Sequence, residues 1–207
     1  MNSRWCLRVV LWLLIPVISV YTGCAGTQPS RFYSLTAISG IQKIEPKNGA
    51  VNGKAIGVGP VEIPSYVDRP QIVTQKGPHQ IHVAEFDRWA GSLKENINSV
   101  VAENLSVLLS DHMVYVFPWM AVQPVQYQIT VRIMRLDAVP GEAVILDAHW
   151  WILGKNERGV VQEQRSQIRI PLSGKGYNDI VAAQSMALGE LSREMALAIQ
   201  TLRASLE

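Results

Sequence analysis

The sequence predicts an α+β fold in which a mixed, mostly antiparallel sheet carries two amphipathic helices on one face. Two observations support this prediction. Apolar residues recur at spacings of three and four in residues 88–109 and 178–204, as they do in amphipathic helices. Shorter segments before and between these two alternate apolar and polar residues and are bounded by turn-forming residues, as strands are. An order of strands, helix, three strands and helix is typical of an α+β domain.

Length and composition indicate one compact domain. The chain has 207 residues, of which 48% are hydrophobic and 17% are charged, so it can bury a substantial core and is not extensively disordered. Residues 1–23 contain Arg4 and Arg8 but no acidic residue, and without them the chain has 17 basic and 17 acidic residues. A neutral body lacks the clustered basic face of nucleic-acid-binding proteins, so we expect no nucleic-acid partner.

The N-terminus has the features of a secretory signal peptide. Two arginines precede the apolar run 9–20, which contains Pro16, and the small residues Thr22 and Gly23 follow it. The run is shorter than the roughly 20 apolar residues that a membrane-spanning helix needs, and a buried helix would seldom begin with bare arginines. We predict a signal peptide over 1–23, a lipidated tether over 24–31 and a single domain over 32–207.

Cys24 lies where the apolar run meets the first polar residues, and three roles are open to it: a core residue, half of a disulfide, or a lipid attachment point. The only other cysteine is Cys6, so the body can form neither a disulfide framework nor a cysteine metal site. The stretch YTGC resembles a bacterial lipobox, although Tyr21 stands where leucine is usual. We therefore expect Cys24 to carry acyl chains, palmitate among them, and two or more such chains give lasting anchorage.

The residue after the cysteine predicts the destination. Ala25 is not an aspartate, and by resemblance to Gram-negative sorting rules this favours the outer membrane over the inner one. Seven extended residues, 25–31, span at most about 25 Å. We expect the folded body to lie close to the membrane.

The individual elements follow from the same patterns. The alternation predicts strands near residues 31–38, 54–64, 72–75, 80–84, 113–119, 127–135, 143–154 and 160–172. The third and fourth form a hairpin, and the last three form an antiparallel meander whose middle strand is covered on both faces. Asp87 is the expected N-cap of the first helix. In that middle strand, Trp150 and Trp151 must point to opposite faces. One is therefore core, and the other either lies beneath a covering layer or forms a contact surface.

No catalytic or metal site emerges from the pattern. His79 and His82 lie near Glu85 and Asp87, but alternation in a hairpin would direct the two rings to opposite faces. The sequence has no G-x-S-x-G motif, and no cysteine remains in the body as a nucleophile. We expect neither enzymatic activity nor a cofactor.

Three stretches carry a family resemblance. FYSL shortly after the cysteine, IGVGPVEIPSYVDRPQIVTQ, and FDRWAGSLKENINSVVAENLSVLL are similar to the PqiC-like (YmbA-like) family of ABC-type transport auxiliary lipoproteins. The most specific pieces are residues 64–74, PSYVDRPQIVT, and the Arg88-Trp89 pair. Residues 113–207 match only in the order of their elements.

The resemblance implies a non-catalytic lipoprotein of the outer membrane that faces the periplasm. Such proteins work with MCE-type intermembrane lipid-transport systems, whose MCE-domain protein spans the periplasm, and some assemble as homo-oligomeric rings. An alternative role is a contact-type assembly factor or activator of another envelope complex.

The motif residues are assigned, within that resemblance, to structural or assembly roles. They are Tyr66, Asp68, Arg69, Pro70, Arg88 and Trp89. Asp68 and Arg69 could form an ion pair that fixes the turn before Pro70. Trp89 is expected to be a core or interface anchor, the alternative being a ligand-binding aromatic.

Overall fold

The structure is a computed structural model that describes residues 28–40, 55–120, 125–154 and 159–204. Eight strands and two helices lie within these ranges. The elements, in chain order, are β1 (Arg31–Tyr33), β2 (Ala55–Glu62), β3 (Gln71–Gly77), β4 (Gln80–Trp89), α1 (Leu93–Leu108), β5 (Val114–Val116), β6 (Val125–Val139), β7 (Ala143–Gly154), β8 (Gly159–Pro171) and α2 (Tyr177–Ala204). The α+β prediction is confirmed. No helix in the described part of the chain is long and apolar enough to cross a membrane.

The strands divide between two sheets, which the sequence did not distinguish. One sheet has five strands in the order β5-β2-β6-β7-β8, and the other has three in the order β1-β4-β3. The predicted hairpin is β3–β4 and the predicted meander is β6–β7–β8, both antiparallel. β2 pairs in parallel with β5 and with β6, and β1 pairs in parallel with β4, so both sheets are mixed.

The first helix begins later than the sequence predicted. Asp87 is not its N-cap, because β4 continues through Trp89 to pair with β1. The N-cap is Ser92, whose hydroxyl accepts a hydrogen bond from the backbone N–H of Glu95. Serine followed three residues later by glutamate is a common helix start. The apolar spacing that includes Trp89 therefore continues from a strand into a helix.

The core lies between the five-stranded sheet and the two helices. The alternate residues of β7 from Val144 to Ile152 are buried, and Trp150 among them is fully enclosed. α1 contacts β2, whereas α2 contacts β7 and β8, and the helices contact each other. Both helices thus share one face of the sheet, as predicted. Trp150 donates a hydrogen bond from its indole N–H to the Ser166 hydroxyl at 2.9 Å, which satisfies its polar atom inside the core.

The opposite face of the sheet is polar rather than covered by a second apolar layer. Trp151 is half-buried there, with the His149 ring 4.2 Å away and the Arg132 guanidinium 5.8 Å from its ring centre. Salt bridges join neighbouring strands across this face, namely Glu62–Arg132, Asp147–Arg165 and His149–Glu163. The two tryptophans do point to opposite faces, and long polar side chains cover the outer one.

Candidate functional site

The residues proposed for lipid attachment lie outside the described part of the chain. The description begins at Gln28, so Cys24 and Ala25 stay predictions from the sequence. Within the described residues, the candidate site begins at Arg31, the first residue of β1.

β1 joins the rest of the fold at a buried carboxylate, and we call Arg31, Tyr33 and Asp87 the junction cluster. The Arg31 guanidinium binds Asp87 through Nε and Nη2, each at 2.8 Å, and the Tyr33 hydroxyl donates to the same carboxylate at 2.7 Å. Asp87 is only 5% exposed. The fork of an arginine fits both oxygens of a carboxylate, which makes this a strong and directional pair.

The electrostatics of the junction cluster favour the charged form of Asp87. Burial by itself would raise the pKa of this carboxyl, but the hydrogen bonds from Arg31 and Tyr33 outweigh it and hold the pKa below the ordinary aspartate range. The Tyr33 ring also lies 6.2 Å from the Tyr177 ring at the start of α2. The cluster therefore joins β1, β4 and the first turn of α2.

After β1 the chain continues as an extended segment, Ser34–Ile38, which we call the strap. Side chains from both helices bind its backbone. The Asn96 amide on α1 accepts from the Leu35 N–H at 2.8 Å and donates to the Leu35 carbonyl at 3.2 Å, much as a neighbouring strand would. Ser185 on α2 accepts from the Thr36 N–H at 3.2 Å, and Asn104 on α1 accepts from the Ile38 N–H at 3.0 Å.

Packing holds the strap in place as well as hydrogen bonds. The Leu35 side chain is 2% exposed and belongs to the main core cluster. Ile38 lies so close to Gly189 on α2 that a β-carbon at residue 189 would fall 1.8 Å from the Ile38 Cδ1 atom. Glycine at this position therefore permits the close approach of strap and helix. The predicted strand over 31–38 is thus a three-residue strand followed by the strap.

The motif Pro64–Thr74 forms the turn between β2 and β3 and the first four residues of β3. Its backbone is fixed by hydrogen bonds from the Val67 and Asp68 N–H groups to the Pro64 carbonyl at 3.1 and 3.2 Å. Asp68, Arg69 and Pro70 are exposed. The proposed ion pair between Asp68 and Arg69 is not among the salt bridges of the described residues, since backbone bonds hold this turn instead.

Tyr66 connects this turn to the five-stranded sheet. Its hydroxyl donates to Asp137 Oδ1 at 2.7 Å, near the end of β6, and Arg135 binds the other oxygen of the same buried carboxylate. Burial, reinforced by the hydrogen bond to Asp137, raises the pKa of Tyr66. Pro70 continues the connection, because its carbonyl accepts from the Trp89 N–H at 2.7 Å. The motif thus joins β3 and β4 to the large sheet.

Arg88 and Trp89 lie at the end of β4 rather than in a helix. Trp89 is 5% exposed and packs in the core, as a structural anchor does. Arg88 is half-buried, and its Nε approaches the Glu85 carbonyl at 3.4 Å, which is long for a hydrogen bond. The end of β4 thus contacts both sides: Asp87 binds Arg31 and Tyr33 of β1, and the Trp89 N–H binds the Pro70 carbonyl of the motif.

Histidines and acids do not converge in the described ranges. His79 and His82 are both exposed, and no group of three or more His, Cys, Asp or Glu within those ranges could hold a metal ion.

Sequence reasoning missed the junction cluster and the strap. The alternation R-F-Y and the acid between the two aromatic residues of E-F-D-R-W are the local signals for the cluster. The strap depends on side chains that are 61 to 149 residues away in sequence, and no local pattern reports them.

Known structures share this fold at low sequence identity. A crystal structure described only as that of an uncharacterized protein aligns with a TM-score of 0.68 and 18% identity, covering 83% of this chain and 99% of its own. A crystal structure of a Xanthomonas campestris protein of the family DUF330 aligns with a TM-score of 0.67 and 15% identity, covering 86% of this chain and all of its own. At these identities the likeness establishes the fold alone.

The sequence itself gives a more specific result. No curated protein matches it. A family model does match, over residues 33–196, and its description is "ABC-type transport auxiliary lipoprotein component". The match extends from Tyr33 in the junction cluster, through the strap and the Pro64–Thr74 motif, to most of α2.

Proposed function

The chain belongs to the family of ABC-type transport auxiliary lipoprotein components, and from this we propose that it is a non-catalytic docking component of an MCE-type intermembrane lipid-transport system. In this role a lipidated Cys24 anchors the protein in the outer membrane, and the folded body faces the periplasm. The body binds the MCE-domain protein that spans the periplasm.

The junction cluster is the observation that supports this role best. A docking protein has to hold its body at a defined place relative to its anchor. The chain enters the fold seven residues after Cys24, a distance of at most about 25 Å, and it is bound there at once by a bidentate ion pair to buried Asp87. The strap then ties the same segment to both helices. The N-terminal segment of the body is therefore fixed to the small sheet and to both helices, close to the proposed tether.

The polar face of the large sheet is consistent with a binding rather than a catalytic role. Its carboxylates Glu62, Asp147 and Glu163 each pair with a basic side chain of an adjacent strand. Hydrogen bonds from Arg132 and Arg165 lower the pKa values of Glu62 and Asp147, which keeps these acids ionised. Acids held in the charged form by a neighbouring guanidinium, as Glu62 and Asp147 are, stabilise a sheet face, whereas a general acid has to release and recover a proton.

A pull-down from detergent-solubilised membranes tests the docking role. Tagged full-length protein is expected to recover an MCE-domain protein, and the Cys24→Ala variant is expected to recover less of it because it is not held at the membrane. If the tagged protein recovers only a cell-wall synthase or an outer-membrane barrel protein, the MCE assignment is wrong. The protein would then be an assembly factor or activator of that complex.

Lipid labelling and fractionation test the anchor. Labelled palmitate is expected to enter the wild-type chain but not Cys24→Ala, and Ala25→Asp is expected to move the protein toward the inner membrane. Label in the Cys24→Ala chain would contradict the attachment site. Unchanged fractionation of Ala25→Asp would contradict the sorting role of this residue.

We also propose that copies of the protein assemble as a homo-oligomeric ring. This part of the proposal comes from the family resemblance.

A further inference from the structure

The β3–β4 hairpin is held in the fold at its base and is open at its tip. Residues 78–83, which run from the turn into β4, are all exposed. Successive side chains of a strand point to opposite faces, so neither face of the hairpin is covered by the rest of the described chain at this end. Further along β4, Ala84, Asp87 and Trp89 are buried.

The tip, which we define as residues 76–83, combines exposed apolar side chains with a basic one. Ile81 is 39% exposed and Val83 is 37% exposed, and both lie on one side of β4 because they are two residues apart. Lys76 is also exposed, and residues 70–84 contain no Asp or Glu. This composition suits a lipid surface, because buried apolar area and attraction to anionic headgroups both strengthen binding to a bilayer.

The direction of β1 brings the proposed tether to the same side of the body as the hairpin tip. β1 pairs in parallel with the end of β4, with Arg31 opposite Asp87 and Tyr33 opposite Trp89. The chain before Arg31 therefore enters β1 from the side on which β4 begins, and that is the side of the tip. An anchor at Cys24 approaches the body from this side.

The hairpin and the tether have similar lengths. Arg88 pairs with Phe32 on one side and with Gln71 on the other, so these three residues are level in the sheet. Six residues of β3, or about 20 Å, separate Gln71 from Gly77 at the tip. The tether spans at most about 25 Å. With β3 along the membrane normal, even a fully extended tether leaves the tip within about 10 Å of the surface, and a less extended one closes this gap.

We propose that the hairpin tip is a second, non-covalent contact with the membrane in which Cys24 is anchored. Ile81 and Val83 enter the interfacial region of the bilayer, and the Lys76 ammonium lies among anionic headgroups while its carbons contact apolar groups. This inference rests on the lipid anchor proposed above and deepens it. Two points of contact fix the orientation of the body, whereas a single tether does not.

The opposite end of the large sheet supplies a control position. The hairpin tip lies beside the end of β6, because Lys76 lines a cleft together with Val139. Val160 is at the other end of the same sheet, where it pairs with Leu153 beside the start of β6. It is apolar and 54% exposed. In the proposed orientation, Val160 lies on the side of the body that faces away from the membrane.

Fluorescence quenching by lipid tests the contact in the lipidated protein. Cys6 lies in the predicted signal peptide and Cys24 is acylated, so an introduced cysteine is the one free thiol of the mature chain. Ile81→Cys and the control Val160→Cys are each labelled with the fluorophore NBD. They are reconstituted in vesicles of phosphatidylethanolamine and phosphatidylglycerol that contain a lipid with a spin label near its headgroup. We expect the spin label to quench the fluorophore at residue 81 and to leave that at residue 160 nearly unchanged.

Reversing one charge tests the electrostatic part of the contact. Lys76→Glu, combined with the label at residue 81, is expected to lower the quenching, because glutamate is repelled by phosphatidylglycerol. Lys94→Glu is the matched control, because Lys94 is also exposed but lies in the first turn of α1, outside the hairpin. Circular dichroism shows whether each variant is folded. Equal quenching in the two variants would contradict the placement of the Lys76 ammonium among the headgroups.

Flotation of the vesicles separates failure of the hairpin contact from failure of the anchor. If the protein floats with the vesicles but residue 81 is not quenched, the hairpin contact is wrong while the anchor stands, and the tip is then free for a protein partner. Quenching at residue 160 instead of residue 81 would also overturn the proposal, because the opposite end of the body would face the bilayer. If the protein does not float, the anchor is wrong and the hairpin contact fails with it.

Discussion

β1 and β5 are each three residues long, and each pairs in parallel with one partner at the edge of its sheet. β1 is secured by groups inside the chain: Arg31 and Tyr33 bind the buried Asp87, and the strap that follows is bound by both helices. At β5, Val116 and the flanking residues Met113 and Phe117 are exposed. Phe32 in β1 is exposed as well, so the two edge strands differ chiefly in the ion pair and the strap that hold β1.

The difference matches the position of each strand. β1 follows the proposed tether directly, so any force between the anchor and the body passes through it. The Arg31–Asp87 ion pair and the buried Leu35 side chain resist such a force. β5 lies between α1 and β6 in the chain, far from the proposed tether, so it does not connect the anchor to the body. Its exposed apolar side chains stabilise the monomer little, since they are not removed from water. Variants in the two regions should therefore differ most in monomer stability.

The largest effect is expected at the buried residue of the strap. Leu35→Ala should lower the free energy of unfolding by about 2–5 kcal/mol, because Leu35 is 2% exposed and its removal leaves a cavity. Urea unfolding of the purified protein measures this, with Phe32→Ala as the control, since Phe32 is 66% exposed in β1. If both variants lost the same free energy of unfolding, burial of the Leu35 side chain would not be what holds the strap.

A smaller loss is expected at the junction cluster. Asp87→Asn keeps the shape of the side chain but removes the charge that Arg31 and Tyr33 bind, and hydrogen bonds to charged groups contribute about 1.5–3 kcal/mol each. We expect a loss of about 1–3 kcal/mol, since an amide oxygen still accepts one bond. Asp147→Asn is the matched control, because two guanidinium nitrogens of Arg165 bind Asp147 in the same way but on the open face of the sheet. A larger loss from the control would contradict the importance of the junction.

The sequence predicted the elements that depend on local periodicity and missed those that depend on distant partners. β7 and α2 were located to within a residue, since their alternation and helical spacing continue to their ends. The start of α1 was wrong because Trp89, which ends β4, happens to lie four residues before Leu93. The sequence does contain the correct signal, because Ser92 followed three residues later by Glu95 is a common helix start.

The candidate site was less predictable than the fold. The motif 64–74 was identified from the resemblance, but its main contact, Tyr66 with Asp137, spans 71 residues. Arg31 and Asp87 are 56 residues apart, and their pairing depends on β1 lying beside β4. Side-chain contacts of this kind depend on which strands are neighbours. The alternation within a single strand does not indicate which of the two sheets it joins.

The junction cluster should also make the stability of the protein depend on pH in the acid range. The pKa of Asp87 lies below its ordinary value in the folded chain, so the unfolded chain binds more protons, and stability falls as pH drops below about 4 and through the folded pKa. Glu62 and Asp147 contribute in the same direction. Unfolding by urea at pH 6 and pH 3 should therefore show a smaller acid loss in Asp87→Asn than in the wild type. An identical loss would mean that Asp87 is not bound as its ion.

The smallest effect is expected at β5. Val116→Thr keeps the β-branched shape, and Val116 is 42% exposed, so the free energy of unfolding of the monomer should change by less than about 0.5 kcal/mol. Urea unfolding at a protein concentration low enough to keep the chain monomeric measures this. A loss above about 1 kcal/mol would show that the Val116 side chain already packs within its own chain, and the contrast with β1 would then fail.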